Sequence, residues 1–426
     1  MAAKQIQRIL FLFLLECFSV VWAAEDGSRC AIVLSTQDIL NCAITRHPSV
    51  GVERLGVEQA GELEKQAAQR PNPELGVNSV WGTQWDGKSS ESSVGLSHVF
   101  ELAGKRRARI DKSQEIKKFS EAELYQRQEQ IALEMVESLY RLRQLYQEQL
   151  VILESIETFD KILAGLRRLP RLTPEQQVSL NVFRLIKGDY TLQNSQLLQK
   201  EVELKNFFAV ATGLSFEVIK QFLPPPTKDW SSLKAKAFVH FGDAREALPL
   251  NNGAVRLARA ELGMANRDVG LAESQTWGEL RVGPLLQVKN DPQNSLRFLG
   301  VGLSLPLPLY QRNEGGKSVA RKSEAKADAQ LQYLLFVNQR ERAIKREILE
   351  EVTKTFDATP SLEELEKHHH QLESLFYRGL VPSTLVIEAH RQILEYTRSK
   401  NERELQAMML IWKIYALEGR ILTERL

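Results

Sequence analysis

The sequence predicts a mixed α+β membrane protein: a long α-helical coiled-coil barrel joined to a trimeric, twelve-stranded transmembrane β-barrel, with four strands from each internally duplicated chain. Three observations lead there. Val94-Gly95-Leu96-Ser97 returns as Val301-Gly302-Leu303-Ser304, Glu74-Leu75-x-Val77 as Glu279-Leu280-x-Val282, and Leu172-Thr173-Pro174 as Leu380-Val381-Pro382, at offsets of 207, 205 and 208. Landmarks kept in one order at nearly one spacing mark an internal duplication. Each copy also holds two stretches of roughly ten residues that alternate apolar with small or polar residues, the period of a barrel wall. Finally, helical stretches far longer than a compact domain needs follow those strands.

Composition narrows the class. With 426 residues, 43% hydrophobic and 26% charged, the chain is neither disordered nor a multipass helical membrane protein. Lys+Arg 56 against Asp+Glu 54 gives no charge excess to attract nucleic acid. At the start, Lys4 and Arg8 precede the apolar run Ile9 to Leu15, and Val21-Trp22-Ala23 fits a small-x-small cleavage site, so residues 1–23 read as a secretory signal. A lipid anchor on Cys17 would need a small residue before it, and Glu16 stands there. Beyond residue 23 no stretch reaches the ~18 apolar residues of a spanning helix, so membrane entry has to use strands. Two cysteines remain, Cys30 and Cys42; pairing in an oxidising compartment and two separate small residues both stay open, and their spacing matches no metal motif.

In chain order, Thr36 to Gln69 reads as the first helix, capped by Ser35 or Thr36 and stopped by Arg70-Pro71-Asn72-Pro73. The period then becomes two, with Leu75, Val77 and Trp81 on one face, and Val94, Leu96 and Phe100 alternating after a polar loop. From Lys105 to Leu169 no proline interrupts a heptad of Tyr125, Ala132, Leu139, Tyr146 and Leu153, with Met135, Leu142, Ile156 and Leu163 as companions. A second seam of Ile131, Leu145, Ile152 and Phe159 gives this helix neighbours on both sides, as in a ring. The chain turns at Leu169 to Pro174 and returns to about Thr212.

The second copy repeats the series. Leu280, Val282, Leu286 and Val288 alternate, then Leu299, Val301, Leu303 and Leu305, with Pro284 out of place in a paired strand. A helix runs from Gly315 toward Phe376, interrupted near Pro360, turns at Arg378 to Ser383 and returns through Arg420. The expected organisation is a first repeat over 24–215, an irregular equatorial connector over 216–248 and a second repeat over 249–426.

Four strands cannot close a barrel, and an open edge in lipid leaves backbone groups unsatisfied, so closure is expected between chains. Val94, Leu96, Leu299, Val301 and Leu303 are expected to face lipid, with Gly95, Ser97, Gly302 and Ser304 toward the lumen. Trp81, Trp85 and Phe298 near the loops, with Phe100 and Tyr310 near the helices, are placed to form two interfacial girdles.

The arrangement resembles the TolC-type outer membrane factor (outer membrane efflux protein) family over essentially the whole mature chain, and its wording is nearest the heavy-metal, CzcC-like branch. Arg70-Pro71-Asn72-Pro73-Glu74-Leu75 resembles that branch's entry into the first strand. Phe100 through Arg109 resembles its exit into the long helix, and Leu303 through Asn313 the second exit. The resemblance implies a homotrimer in the outer membrane of a Gram-negative bacterium, with a helical tunnel crossing the periplasm. It further implies that the tunnel tip docks on a periplasmic adaptor (membrane fusion) protein and an inner-membrane pump, of RND type for this branch. Pro170 and Pro174 bracket the first tip in place of the family's glycine-containing turn.

The function expected is passage of substrates, heavy-metal cations among them, from periplasm to exterior. Arg171, Leu172 and Thr173 at one tip, and Gly379, Leu380, Val381 and Ser383 at the other, are the expected docking surface, because an exposed apolar residue such as Leu380 usually means a partner. Glu388, nine residues past Gly379, resembles the family's acidic gate position, with Leu385 where a second acidic residue would stand. Three such carboxylates on a threefold axis would repel one another and attract cations, while pairing with Arg391 on the same helix face is the plainer outcome.

No nucleophile–base pair, phosphate loop or zinc spacing is present, so neither an enzyme nor a cofactor is expected. The run His368-His369-His370 invites a metal reading, but consecutive helical residues point ~100° apart, and a solvated face without metal is the expectation. A secreted or surface coiled-coil scaffold without a pore is the competing class; it has no use for paired hairpins with a lipid-compatible face.

Overall fold

The computed structural model describes residue 30 and residues 33–85, 87–227, 250–357, 359–360 and 362–426. The expected signal segment 1–23 and the connector from 228 onward lie outside the described residues. Among them, no helix is long and apolar enough to cross a membrane.

Helix α1 spans Thr36–Arg46; Ser35 caps it, its hydroxyl accepting from the Asp38 amide at 3.3 Å. The single helix expected to Gln69 is in fact two. Proline disfavours the helical conformation in the residue before it, so His47 is extended (φ −52°, ψ 131°) and Pro48 opens α2, Pro48–Ala67, at the position where a missing amide costs nothing. Cys30 and Cys42 are disulfide-bonded, which fastens the segment before α1 to α1 itself.

Strands β1, Glu74–Gln84, and β2, Gly87–Glu101, form the first hairpin. Helix α3, Lys105–Arg167, follows unbroken for 63 residues, a length of roughly 95 Å at ~1.5 Å per residue. Helix α4, Pro174–Thr212, returns, and the short α5, Phe216–Gln221, leads away. The chain continues through α6, Gly253–Ser274, β3, Glu279–Asn290, β4, Ser295–Ser304, α7, Glu314–Asp357, α8, Leu362–Tyr377, and α9, Ser383–Leu417.

Both seams of α3 are used. Ile131, Ala132, Met135, Leu139, Leu142, Leu145, Ile152, Phe159 and Leu163 are all buried, and α3 packs against α1, α2, α4, α6 and α9. Leu153, the last residue of the expected heptad, is instead 49% exposed. A straight helix drifts about 20° per heptad against a strict seven-residue repeat, so four heptads from Tyr125 rotate that seam by roughly 80° and burial passes to its neighbours.

Among the described residues the buried apolar side chains gather in two large cores and a small third cluster of Val255, Ala258 and Leu331. One large core joins Ile39, Leu40, Leu139, Leu142, Phe208, Ile411 and Trp412; the other joins Ile152, Phe159, Leu163, Phe183, Val386 and Leu394. A buried ion pair, Arg143 with Glu404, ties α3 to α9 near the first core. It also holds the segment after α5: Arg143 donates to the Pro225 carbonyl at 2.9 Å, and Glu404 accepts from the Thr227 amide at 2.9 Å.

The four strands form one antiparallel sheet in the order β1-β2-β3-β4. Pro284 leaves its mark on the β2–β3 ladder, whose paired residues skip from Gly95↔Leu285 to His98↔Val282. The strands come so close there that a Cβ on Gly283 would lie 1.8 Å from the Leu96 carbonyl oxygen, so only glycine fits beside that proline.

Candidate functional site

Cross-strand register decides which residues share a face. Val77 pairs with Val94, Val94 with Leu286, and Leu286 with Leu299, an apolar row across the whole sheet. Leu75 with Leu96, Pro284 with Val301, and Val282 with Leu303 extend the same face. The five residues expected to face lipid therefore lie on one side, and all are exposed in the protomer. The opposite side is mostly small or polar: Gly76, Ser93, Gly95, Ser97, Gly302 and Ser304 line a shallow concavity together with Leu285. Glu74 and Arg281 form an ion pair on that concave side.

One girdle residue is misplaced by the sequence reading. Phe298 pairs with Gln287, on the face opposite Trp81, because it is next to Leu299 in β4 and successive strand side chains point to opposite sides. Trp85, 97% exposed in the turn, and Phe100, on the apolar face, do stand at the two ends of the sheet.

At the far ends of the helices the two tips are differently made. Thr173 caps α4 in a reciprocal capping box with Gln176, and Pro174 takes the first helical position. Gly379 ends α8 in a left-handed conformation (φ 74°), and the amide of Leu380 reaches back to the Leu375 carbonyl at 3.0 Å. The tips sit side by side, with the hydroxyls of Ser179 and Ser383 3.1 Å apart. Of the expected docking residues, Arg171, Thr173, Gly379 and Leu380 are exposed, while Leu172, Val381 and Ser383 are half-buried. Leu172 packs on the neighbouring core.

Glu388 and Arg391 are brought together. The guanidinium donates twice to the carboxylate, at 3.0 and 2.8 Å, and Gln392 donates once at 2.8 Å. Within the protomer, Arg391 and then Gln392 hold the Glu388 carboxyl below its usual range, opposite in sign to the shift expected from three bare carboxylates.

The histidine run departs most from expectation. His368 and His370 are exposed, but His369 is 7% exposed and meets His390 of α9, 1% exposed, with ring centroids 4.2 Å apart. Both reach Glu373: His369 Nε2 lies 3.3 Å and His390 Nε2 3.1 Å from its Oε1. Thr158 of α3 donates to the same oxygen at 3.0 Å. Burial pushes Glu373 up, yet the imidazoles of His369 and His390 against it outweigh burial and hold the carboxyl well below its usual range. Burial also pushes His390 down, against the pull of Glu373. The i, i+4 spacing of His369 and Glu373 is a signal the sequence carries; His390 is 21 residues from His369, across the tip, and only the fold joins them.

No family model matches the chain. It is 26% identical over 278 residues, 62% of its length, to the cobalt-zinc-cadmium resistance protein CzcC of Cupriavidus metallidurans, and the match spans 60% of that protein's length. Its fold is similar to that of the outer-membrane channel OprN, with a TM-score of 0.70 at 17% identity over 91% of each chain. It is also similar to the CmeC outer membrane channel of Campylobacter jejuni (TM-score 0.68, 13% identity, 91% of this chain and 86% of that one). CusC gives a TM-score of 0.66 at 11% identity over 90% of this chain and 92% of that one. The chain thus shares the fold of these outer membrane channels and carries a partial sequence likeness to CzcC, the same branch that its sequence resembles.

Proposed function

We propose that this protein is the outer membrane channel of a tripartite efflux system, a homotrimer passing substrates from the periplasm to the exterior of a Gram-negative cell. The observation that carries the proposal is the sheet, with an apolar face running across four strands and a concave, mostly small or polar face opposite. Among the described residues β1 pairs only with β2 and β4 only with β3, so each end of the sheet is an open edge. Unsatisfied edge groups cost several kcal/mol each in hydrocarbon, and three sheets joined edge to edge remove them in a twelve-stranded barrel. Its lipid side then carries Val94, Leu96, Leu299, Val301 and Leu303. The exposed stripe Val178, Val182, Leu185 and Leu192 on α4 offers a neighbouring protomer's helix a seat, at spacings of a coiled-coil seam.

In this reading the two repeats supply alternate sectors of the tunnel, with the 216–248 connector at its equator. The tips around Arg171 and Leu380 meet a periplasmic adaptor coupled to an inner-membrane pump, and Glu388 with Arg391 lines the tunnel mouth. The name of CzcC makes heavy-metal cations the first cargo to test; a pump upstream can select them, so the channel itself need not.

The test is extraction of a heat-modifiable trimer from the outer membrane, conductance after reconstitution, and cobalt, zinc and cadmium sensitivity of a deletion strain. Leu303→Arg should cost ~2–4 kcal/mol and impair assembly, whereas Ser304→Arg should assemble and alter conductance. Equal damage from the two substitutions would contradict a lipid-exposed barrel.

A further inference from the structure

We propose that His369, Glu373 and His390 form a binding site for a divalent transition-metal ion that ties α8 to α9 and lies above the second tip. One donor atom from each of His369, His390 and Glu373 lies within 4.8 Å of the other two. Two of the three separations, 3.3 and 3.1 Å, converge on the single oxygen Oε1. A tetrahedral ion with bonds of ~2.0–2.1 Å requires ligand-to-ligand edges of about 3.3 Å, so two edges of that tetrahedron are already set.

The hydrogen bonding around His390 points the same way. The Ser155 hydroxyl gives its one proton to the Val151 carbonyl at 2.7 Å, so toward His390 Nδ1, 3.0 Å away, it can only accept. Nδ1 therefore carries the ring proton, and Nε2 presents a lone pair to a carboxylate oxygen. Two acceptors facing each other at 3.1 Å repel unless a cation lies between them. His390 Nε2 has no hydrogen-bond partner, and neither does the buried His369 Nδ1. Fixing a ligand imidazole through its other nitrogen is how metal sites orient their histidines, and Ser155 stands in that position.

The surroundings fit a cation too. Phe159 packs edge-on against His390 at 4.9 Å, which keeps the ligands rigid and dry on one side. On another side, Ser155, His369 and His390 border a cavity about the size of one water molecule, edged by Glu154 and Glu366. That cavity leaves room for a fourth, non-protein ligand, and its two carboxylates offset the surplus charge of a dication held by one carboxylate. Two imidazoles and one carboxylate, without thiolate, suit Zn²⁺, Co²⁺ or Ni²⁺ and disfavour Cu⁺, Mg²⁺ and Ca²⁺. Such an ion would bind whether or not the trimer conducts.

The competing occupant is a proton shared between His390 Nε2 and Glu373 Oε1, and cobalt distinguishes the two. Purified full-length protein in detergent, titrated with Co²⁺ alone, should take up one ion per chain with the intense visible bands of tetrahedral cobalt, and Zn²⁺ should bleach them. Glu373→Gln and His390→Gln should each weaken uptake at least about tenfold, and Ser155→Ala by about tenfold, while His368→Gln leaves it unchanged. No uptake by the wild-type protein, as a shared proton predicts, would overturn the site; so would unaltered uptake by a folded His390→Gln variant. Circular dichroism of each variant without metal reports folding. If the ligand variants do not fold, anomalous scattering from zinc in wild-type crystals decides: a peak between the three residues supports the site, and peaks only elsewhere refute it. Conductance of wild-type trimers without added metal is a separate readout, so failure of the channel reading and failure of this site are told apart.

Discussion

The first helical arm runs from Lys105 to Arg167 without a break and turns at a capped proline, whereas the second stops at Asp357, resumes at Leu362 and turns at a left-handed glycine. Pro360 lies in that gap, where it can neither donate to nor continue a helix. The first arm is held mainly by apolar seams on two faces. The short α8 places only Leu372 and Phe376 on the second core and adds polar contacts, with Thr158 donating to Glu373 and, just before the helix, the Tyr396 hydroxyl donating to the Pro360 carbonyl at 2.5 Å. Continuity lets a long helix distribute its stability over many small contacts. A broken one depends on a few strong and directional ones, so the second arm is where local opening should begin. Amide exchange should accordingly be faster over 362–377 than over 145–163, and the reverse order would break the comparison.

The largest effect is expected where the arms are joined. Glu404→Ala leaves Arg143 buried without its partner and should cost ~3–5 kcal/mol in denaturant unfolding, far more than breaking the solvent-exposed pair Lys161–Glu157 on α3.

Next comes Glu129, on α3 where it meets the start of α6. Burial pushes its carboxyl up to about 7, although the Gly253 amide donates to it at 2.7 Å. The folded state thus holds this proton more tightly than the unfolded chain does. Its contribution is fully present below the unfolded value of 4.5 and is lost as pH rises through about 7. Above that, the buried charge costs roughly 3 kcal/mol, so Glu129→Gln should raise the melting temperature at pH 8 and change little at pH 4. A variant equally stabilised at both pH values would exclude titration as the cause.

The tips differ by less. Gly379→Ala forces a Cβ into the left-handed region and should cost ~1–2 kcal/mol, and Thr173→Ala should cost ~1 kcal/mol through the lost cap. Leu380→Asp should leave the trimer intact and abolish export; normal export would remove that tip from the docking surface. Smallest in energy is the Glu388–Arg391 pair. Glu388→Ala should lower cation selectivity and weaken divalent block in single-channel recordings, and Arg391→Ala, which frees the carboxylate, should raise both.

Much of the fold was legible because its information is periodic and local. Alternation at Leu75–Val77 and Leu299–Leu303 marks strands, seams at Ile131–Phe159 mark a helix with two neighbours, and the repeated landmarks order the elements. Pro48 was equally legible, and the break it makes needed only the rule that a proline restrains the residue before it. The disulfide is not legible in the sequence, because a spacing of twelve residues does not say whether two sulfurs meet; the fold brings Cys30 against Cys42 of α1.

Register and long-range contact belong to the tertiary structure alone. The register that sets Val77, Val94, Leu286 and Leu299 in one row appeared only once the four strands were paired, since a slip of one residue moves every side chain to the other side. Arg143 and Glu404 are 261 residues apart, and His390 is separated from His369 by an entire tip. A sequence states which side chains can share a helix face, because the backbone repeat is fixed by bond geometry. Which helix lies opposite that face, and so whether a histidine meets water or a carboxylate and a second imidazole, depends on packing summed over the whole chain.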